Sequence, residues 1–422
     1  MRIGIDMLGA QSAGRTRGVG RYTRSLVREL LSRHPQTEFV LYYYADAPQD
    51  DQSWPGLPTV RRLPFDAGPD LAGRARRLAE ENPDELDVLL LSCPLENFRG
   101  YLPPAPPASR LRMAAIVYDL IPAVFPEQYL RHPAIAQAYW QALAALEGYD
   151  LLLTISEAGR RDCIRWLRAA PERIANISAA GDPKRFFPAA AAASPGSEVR
   201  LLERHGIREP FIYSLTALDH RKNLQGALAA YALLPAWLRS SYQLALTCAM
   251  SSDDDRAQVR KAIAASPVAD RVVLTGSLDD DELRALYQRC SAFLFPSRYE
   301  GFGLPILEAM QCGAAVAAGR KSSQIEVVGD AGLLVDADRP EDIAASLRQL
   351  LTDADLARRL RSAAPQQAQR FSWQRTAELC HAALEQAVAA PPAAGRWGRL
   401  LARGRLAVKR RLLRYGPLRA SA

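Results

Sequence analysis

No stretch of the chain approaches the ~18 uncharged apolar residues that a membrane-crossing helix needs. The opening Met-Arg-Ile-Gly-Ile-Asp-Met-Leu-Gly is too short an apolar run for a secretory signal peptide. A cytoplasmic location is the expectation. Cysteine is sparse and dispersed: Cys93, Cys163, Cys248, Cys290, Cys312 and Cys380 include no Cys-x-x-Cys pair. That excludes a zinc knuckle and a disulfide framework and leaves reduced, mostly buried thiols. Acidic residues stop at Glu385, whereas nine Lys or Arg fall within 396–419. Taking those nine from the formal charge of +8 leaves −1. The basic character therefore belongs to a tail, and nothing before Arg396 supports nucleic-acid binding.

What is present describes an ordinary globular protein of two domains: 422 residues, 48% hydrophobic and 24% charged. Short apolar runs at 2–8, 39–44, 88–91, 113–117 and 151–155 read as strands buried on both faces. An amphipathic pattern over 20–33 places Tyr22, Leu26, Val27, Leu30 and Leu31 on one helix face. The pattern breaks over 176–197 into a Gly-, Pro- and Ala-rich connector. It restarts with apolar runs at 211–215, 243–247, 272–274, 292–295, 314–317 and 332–335, separated by helical segments at 223–234, 280–288, 305–311 and 341–351. Pro103, Pro104, Pro106 and Pro107 read as a stiff surface loop. The expected fold class is α/β, two Rossmann-like doubly wound parallel-sheet domains facing a cleft, with ligands at the carboxyl ends of strands. The expected boundaries are a first domain over 1–185, a second over 200–375, a helix over 376–395 returning toward the first, and a basic amphipathic tail over 396–422.

Chemistry concentrates in the string Arg298-Tyr-Glu-Gly-Phe-Gly-Leu-Pro-Ile-Leu-Glu308. A strand ends just before it, Gly301 and Gly303 let the backbone approach a ligand, and Pro305 opens a helix whose free N–H groups attract an anion such as a diphosphate. Glu300 and Glu308 can then face one ligand, one taking sugar hydroxyls and the other a ribose diol. In 218–224, Leu-Asp-His-Arg-Lys-Asn-Leu, Arg221 and Lys222 offer cationic donors at a helix start. In 275–287 a loop over 276–278 precedes Asp279-Asp-Asp-Glu282, a run better suited to capping the next helix than to holding metal. The basic loop Gly14-Arg-Thr-Arg-Gly-Val-Gly-Arg-Tyr22 suits an anion but has neither the Gly-x-Gly-x-x-Gly fingerprint nor a phosphate-loop Lys-Ser/Thr. Ser156 reads as a helix cap, and Asp336-Ala-Asp338 and Asp353-Ala-Asp355 as helix starts rather than metal sites.

Two glutamates separated by seven residues, with Gly-Phe-Gly-Leu-Pro between them, resemble the signature of the retaining glycosyltransferases of family 4, which have the GT-B fold. The resemblance covers roughly 1–385. It implies that Glu300 contacts the donor sugar, that Gly301, Phe302, Gly303 and Leu304 lie against sugar and diphosphate, and that Glu308 holds the ribose. It implies further that Lys222, with Arg221, binds the diphosphate and that Gly276 and Leu278 flank the nucleobase. Many members carry an arginine at the preceding strand end, where this chain has Thr216-Ala217. The N-terminal loop resembles that of bacterial polysaccharide and O-antigen mannosyltransferases, which puts Gly18 and Gly20 in the donor and acceptor cleft. Val117-Tyr-Asp-Leu-Ile-Pro122 matches a His-Asp-Leu-x-Pro pattern with Tyr118 in place of the histidine, which shifts weight to Asp119. Glu300, Asp119 and Lys222 are the expected catalytic set.

The function so implied is transfer of a hexose, mannose from GDP-mannose, to a lipid-linked oligosaccharide in cell-surface polysaccharide or O-antigen assembly. Catalysis is expected to be electrostatic and without metal or cofactor. The alternatives are a non-catalytic nucleotide-sugar-binding or membrane-docking protein of the same fold, and a transferase using a UDP-sugar. A hydrolase is disfavoured because both glutamates sit in one strand–turn–helix segment rather than across a glycosidic bond. The expected partners are the nucleotide-sugar, the lipid-linked glycan and, through the tail, the anionic inner-membrane surface, with no nucleic acid.

Overall fold

The computed structural model describes residues 1–11, 15, 18–44, 54–55, 58–63, 81–95, 111–167, 169–189, 201–250 and 252–391. The proline cluster at 103–107, most of the basic loop at 14–17 and the tail over 396–422 lie outside the described residues. The chain divides into two compact units, one of residues 1–179 with the segment from Trp373 onward, the other of residues 180–372.

The first unit is built on a seven-stranded, all-parallel sheet: β1 (Arg2–Asp6), β2 (Glu38–Tyr44), β3 (Thr59–Leu63), β4 (Val88–Leu91), β5 (Arg112–Val117), β6 (Leu151–Thr154) and β7 (Ile174–Asn176) in the order β3-β2-β1-β4-β5-β6-β7. The second has six parallel strands: β8 (Phe211–Ala217), β9 (Gln243–Ala249), β10 (Val272–Leu274), β11 (Ala292–Phe295), β12 (Val316–Gly319) and β13 (Leu333–Val335) in the order β10-β9-β8-β11-β12-β13. Both orders reverse once, between β1 and β4 and between β8 and β11. Two Rossmann-like sheets of this kind are the GT-B architecture that the sequence led us to expect. Central strands read as unbroken apolar runs because helices cover both faces: every residue of β4, β5, β6 and β11 is buried.

Three strand readings differ from the structure. β3 and β7 were not expected. Both are sheet edges, and in β3 the exposed Thr59, Val60 and Arg61 carry no apolar signal. β12 begins two residues later than the alanine-rich run suggested, because Gly313 at φ 74° closes the preceding helix and alanine itself favours neither state. All six cysteines are free and buried, as the sequence implied.

The C-terminal helix Trp373–Ala389 packs against helix Gly18–Arg33 of the first unit. The Trp373 ring meets Tyr22 edge-on at 5.0 Å, Arg33 reaches Glu378 at 3.0 Å, and the Arg112 guanidinium donates to the carbonyls of Ala387 and Ala390. His34 and His381 stack face to face at 3.7 Å, and Thr37 Oγ1 lies 2.8 Å from His381 Nε2. Burial lowers the pKa of both imidazoles. Arg33 adds to the shift at His34 and the His34 ring to that at His381, while Glu385 opposes both and Glu378 opposes that of His34. A lowered folded pKa means that the unfolded chain binds more protons, so stability is complete above the unfolded value of about 6.5 and falls as pH drops through it. Thermal unfolding followed from pH 7.5 to 5.5 is expected to show this loss, and His34→Gln is expected to flatten it; equal slopes for the two proteins would contradict the assignment.

Candidate functional site

In open α/β sheets the crevice for a ligand forms where strand order reverses, because connections from neighbouring strands diverge there. The turns after β8 and β11 occupy that place in the second unit. After β8, Asp219 accepts from the Arg221 N–H at 3.0 Å and starts a short turn over His220–Lys222. Asn223 follows at φ 56°, a left-handed conformation that asparagine tolerates. Its buried side chain donates to the carbonyls of Pro296 and Ala337 and accepts from Gly226 N–H at the start of helix Leu224–Ala232. Asn223 thus ties the β8 turn to the β11 turn and fixes the direction of Lys222.

Glu300, 6% exposed, is the centre of the cluster. Its Oε1 accepts from Lys222 Nζ at 2.7 Å and its Oε2 from Arg221 at 2.6 Å. Ser297 Oγ stands 2.7 Å from Oε1, and the Lys222 ammonium also lies 4.6 Å above the Phe295 ring. The backbone of Glu300 is gripped from a third strand end: its N–H donates to Ser322 Oγ and its carbonyl accepts from Ser323 Oγ. Gln324, fully buried, donates to the Ser297 carbonyl and accepts from the Gly319 N–H. Burial pushes the Glu300 carboxyl up, but Lys222 and Arg221 outweigh it and hold the group below the usual carboxylate range. Burial lowers the Lys222 ammonium, with Glu300 opposing and Arg221 adding to the shift. Arg221 Nε also pairs with Asp219 Oδ2 at 3.3 Å, so the two cations of the cluster face two carboxylates.

Beside this triad the chain turns at Gly303, φ 104°, into helix Leu304–Gln311, whose first turn carries no side-chain cap and no acidic residue. Its N–H groups remain for an anion. Gly301 is partly exposed, whereas the Phe302 ring is buried against Phe371, so Phe302 can offer a ligand only its backbone. Glu308, partly exposed, is approached by the Tyr287 hydroxyl at 3.4 Å. Gly276, φ 78°, and the partly buried Leu278 form the turn after β10. Asp279 and Glu282 make a reciprocal capping box at the next helix, as the acidic run suggested. Asp353 caps its helix as read, but Asp336 and Asp338 do not cap. They accept instead from Arg320, and from Arg298 and Lys321, respectively.

Gly18, Gly20 and Asp119 belong to the first unit. Gly18 and Gly20 open helix Gly18–Arg33, and a Cβ on Gly20 would fall 2.1 Å from the Arg15 carbonyl oxygen, so only glycine fits there. Arg24 donates to the carbonyls of Arg15 and Ala10 and braces this turn. Asp119 Oδ1 accepts from Ile121 N–H at 3.0 Å, and Tyr118 stands edge-on to Tyr22 with its hydroxyl 3.3 Å from Thr23 Oγ1. Ser156 caps helix Glu157–Leu167 through Gly159 N–H. The sequence reading missed Asn223, Ser297, Ser322, Ser323 and Gln324, which hold the triad in place. The polar run Arg320-Lys-Ser-Ser-Gln324 at a strand end was their available signal.

Residues 201–367 match the family described as Glycosyl transferases group 1. The chain carries a group 1 glycosyltransferase domain. It is 30% identical over 403 residues to the serotype-specific mannosyltransferase WbdA of Escherichia coli, covering 90% of this chain and 47% of that protein, so it spans about half the length of this relative. The O-antigen chain mannosyltransferase B of Escherichia coli is 28% identical over 370 residues, 85% of this chain and 93% of that one. The sucrose-phosphate synthase of Thermosynechococcus elongatus shares the fold, with a TM-score of 0.69 at 19% identity over 93% of this chain and all of that one. In this glycosyltransferase domain the expected donor residues Arg221, Lys222, Glu300, Gly301, Gly303 and Leu304 converge at the reversal of the second sheet.

Because Glu300 has a lowered folded pKa, the triad's contribution to stability is complete above the unfolded carboxyl value of about 4.3 and is lost as pH falls through the folded one. Glu300→Gln takes the carboxylate from Lys222 and leaves Arg221 only Asp219, in a site largely closed to water. It is expected to cost ~3–5 kcal/mol at pH 7, with the gap in thermal midpoint to wild type narrowing toward pH 3. A gap independent of pH would contradict the ion-paired state.

Proposed function

We propose that the chain is a retaining mannosyltransferase that moves mannose from GDP-mannose onto a lipid-linked oligosaccharide during cell-surface polysaccharide or O-antigen assembly. The observation that carries this reading is the Arg221–Lys222–Glu300 triad beside an uncapped helix N-terminus. Two partly exposed cations beside the free N–H groups of a helix start suit a diphosphate leaving group, and the names of WbdA and the O-antigen mannosyltransferase B support mannose as the sugar.

In this mechanism the diphosphate lies against Lys222, Arg221 and the N–H groups at Gly303 and Leu304. As the bond from the sugar to phosphate lengthens, negative charge grows on the diphosphate and positive character on the sugar ring. Donors already oriented by Asn223 and Ser297 stabilise the first without reorganising, which is where such sites gain rate. Glu300 orients the two cations and offers its carboxylate to the sugar, Glu308 takes the ribose diol, and Gly276 and Leu278 border the base. Asp119, Gly18 and Gly20 are the residues of the first unit to which this reading gives a role in sugar binding. The chemistry needs no metal.

No helix among the described residues is long and apolar enough to cross a membrane. The reading therefore gives membrane access to the tail over 396–422, which lies outside the described residues. Along a helix Trp397, Leu400, Leu401, Val408, Leu412 and Tyr415 would share one side, with Arg399, Arg403, Arg410 and Arg414 largely elsewhere. A basic amphipathic segment of this kind settles in an anionic interface, and each engaged cation contributes ~1 kcal/mol. The enzyme then works peripherally on the cytoplasmic face.

Three experiments test the proposal. Lys222→Ala and Glu300→Gln are expected to lower transfer of mannose from GDP-mannose by ~10² or more, and GDP is expected to bind more tightly than UDP. Near-wild-type turnover in either variant contradicts the site, and a clear preference for UDP contradicts the donor. Liposome co-sedimentation should retain the full chain, but not a version ending at Ala394, on anionic vesicles at low salt. Equal binding of the two, or none, contradicts the role of the tail.

A further inference from the structure

The second sheet holds one more concave surface that could bind the donor. Beyond β8, at the carboxyl ends of β9 and β10, lies an open groove of about 470 Å³ walled by Met250 and Leu274 and by the turn Thr275–Ser277. Arg256 and Arg260, one helical turn apart on helix Asp253–Ala264, form its other side. The polar atoms of the strand wall are already used: Thr247 and Thr275 hydroxyls bond each other at 2.8 Å, and Tyr213 donates to Thr247. The arginines are not. Arg256 pairs only with the exposed Asp253 at 3.0 Å, and Arg260 makes no hydrogen bond or ion pair with any described residue. Gly276 faces open space, with nothing within 4 Å of where a Cβ would stand. The groove is therefore a slot of mixed polarity, with Met250 and Leu274 on one wall and unused guanidinium donors along its edge.

We propose that Arg260, assisted by Arg256, reads the base of the donor nucleotide and selects a 6-oxopurine. The inference rests on the GDP-mannose reading of the same site and deepens it. Its placement follows from the sheet. Two strand spacings, about 10 Å, separate β8 from β10, so a nucleotide whose diphosphate sits at the β8 and β11 turns extends its base toward the groove. The helix that follows the Gly276 turn carries Tyr287, whose hydroxyl approaches Glu308 at 3.4 Å. Guanine presents two adjacent acceptors, O6 and N7, that match the paired donors of one guanidinium. Adenine replaces O6 with an amino donor, which faces the same guanidinium donor to donor. A phosphate in this groove would demand a second phosphate far from the triad, which one nucleoside diphosphate does not have.

The test is calorimetric titration of GDP, inosine diphosphate and ADP into the full chain and into Arg260→Ala, a change at an exposed side chain that leaves the core untouched. Inosine diphosphate keeps O6 and N7 and lacks only the 2-amino group. Wild type is expected to bind GDP and inosine diphosphate alike and ADP about tenfold to a hundredfold more weakly. In Arg260→Ala the two 6-oxopurines should fall to the ADP value, with ADP unchanged. Equal weakening of all three would make Arg260 a general phosphate cation and overturn the inference, as would an unchanged preference in the variant. That second outcome leaves GDP-mannose standing as the donor. Tighter binding of UDP than of any purine diphosphate by wild type overturns the donor reading itself, and the inference with it.

Discussion

A buried carboxylate cannot remain ionised among apolar strands unless cations meet it, and Glu300 is met by two. Most of the second unit's polar architecture follows from that requirement. Taking three charges out of water is costly, and their attraction offsets the cost only with close geometry and additional hydrogen bonds. The surrounding residues supply that geometry. Asn223 locks the turn that carries Lys222, Ser297 and Gln324 brace the turn that carries Glu300, and Ser322 and Ser323 hold the Glu300 backbone from the end of β12. Three strand ends are thereby committed to one cluster. Its members have little rotamer freedom left, and its two cations are directed to the place where a reversed parallel sheet opens a crevice.

The same constraint explains a departure from the family pattern. The strand-end arginine that many relatives carry is missing here, where Thr216-Ala217 ends β8. Arg221 sits four residues beyond Ala217, and the short turn capped by Asp219 returns its guanidinium to Glu300. A second cation therefore stands at Glu300 without a strand-end arginine. The aspartates that follow β13 serve the periphery in a similar way: Asp338 pairs with Arg298 and Lys321, which keeps those side chains extended around the site.

Much of this was legible from residue order. Central strands announced themselves as apolar runs because both faces are covered, and Glu300 through Glu308 stood out because few structural roles need glycines, a proline and two carboxylates in that order. The edges β3 and β7 were illegible for the converse reason: a half-exposed strand of mixed residues such as Thr59-Val-Arg-Arg-Leu63 carries no periodic signal. The ion triad was read only in part. Sequence brought Lys222 and Glu300 to one ligand but did not show that they bond to each other, since 78 residues separate them and only the neighbouring strands β8 and β11 bring them together. The supporting serines and Gln324 were passed over because each is unremarkable alone and gains its role from a contact made across strands.

The central claim is that this triad exists to hold a diphosphate, and the most direct measurement compares GDP with GMP by calorimetry in wild type and in Lys222→Met. A charge-assisted contact to the second phosphate should make wild type bind GDP about tenfold to a hundredfold more tightly than GMP, and the methionine variant should bring the two affinities close together. An undiminished preference for GDP in Lys222→Met would show that the second phosphate is held elsewhere and would contradict the account.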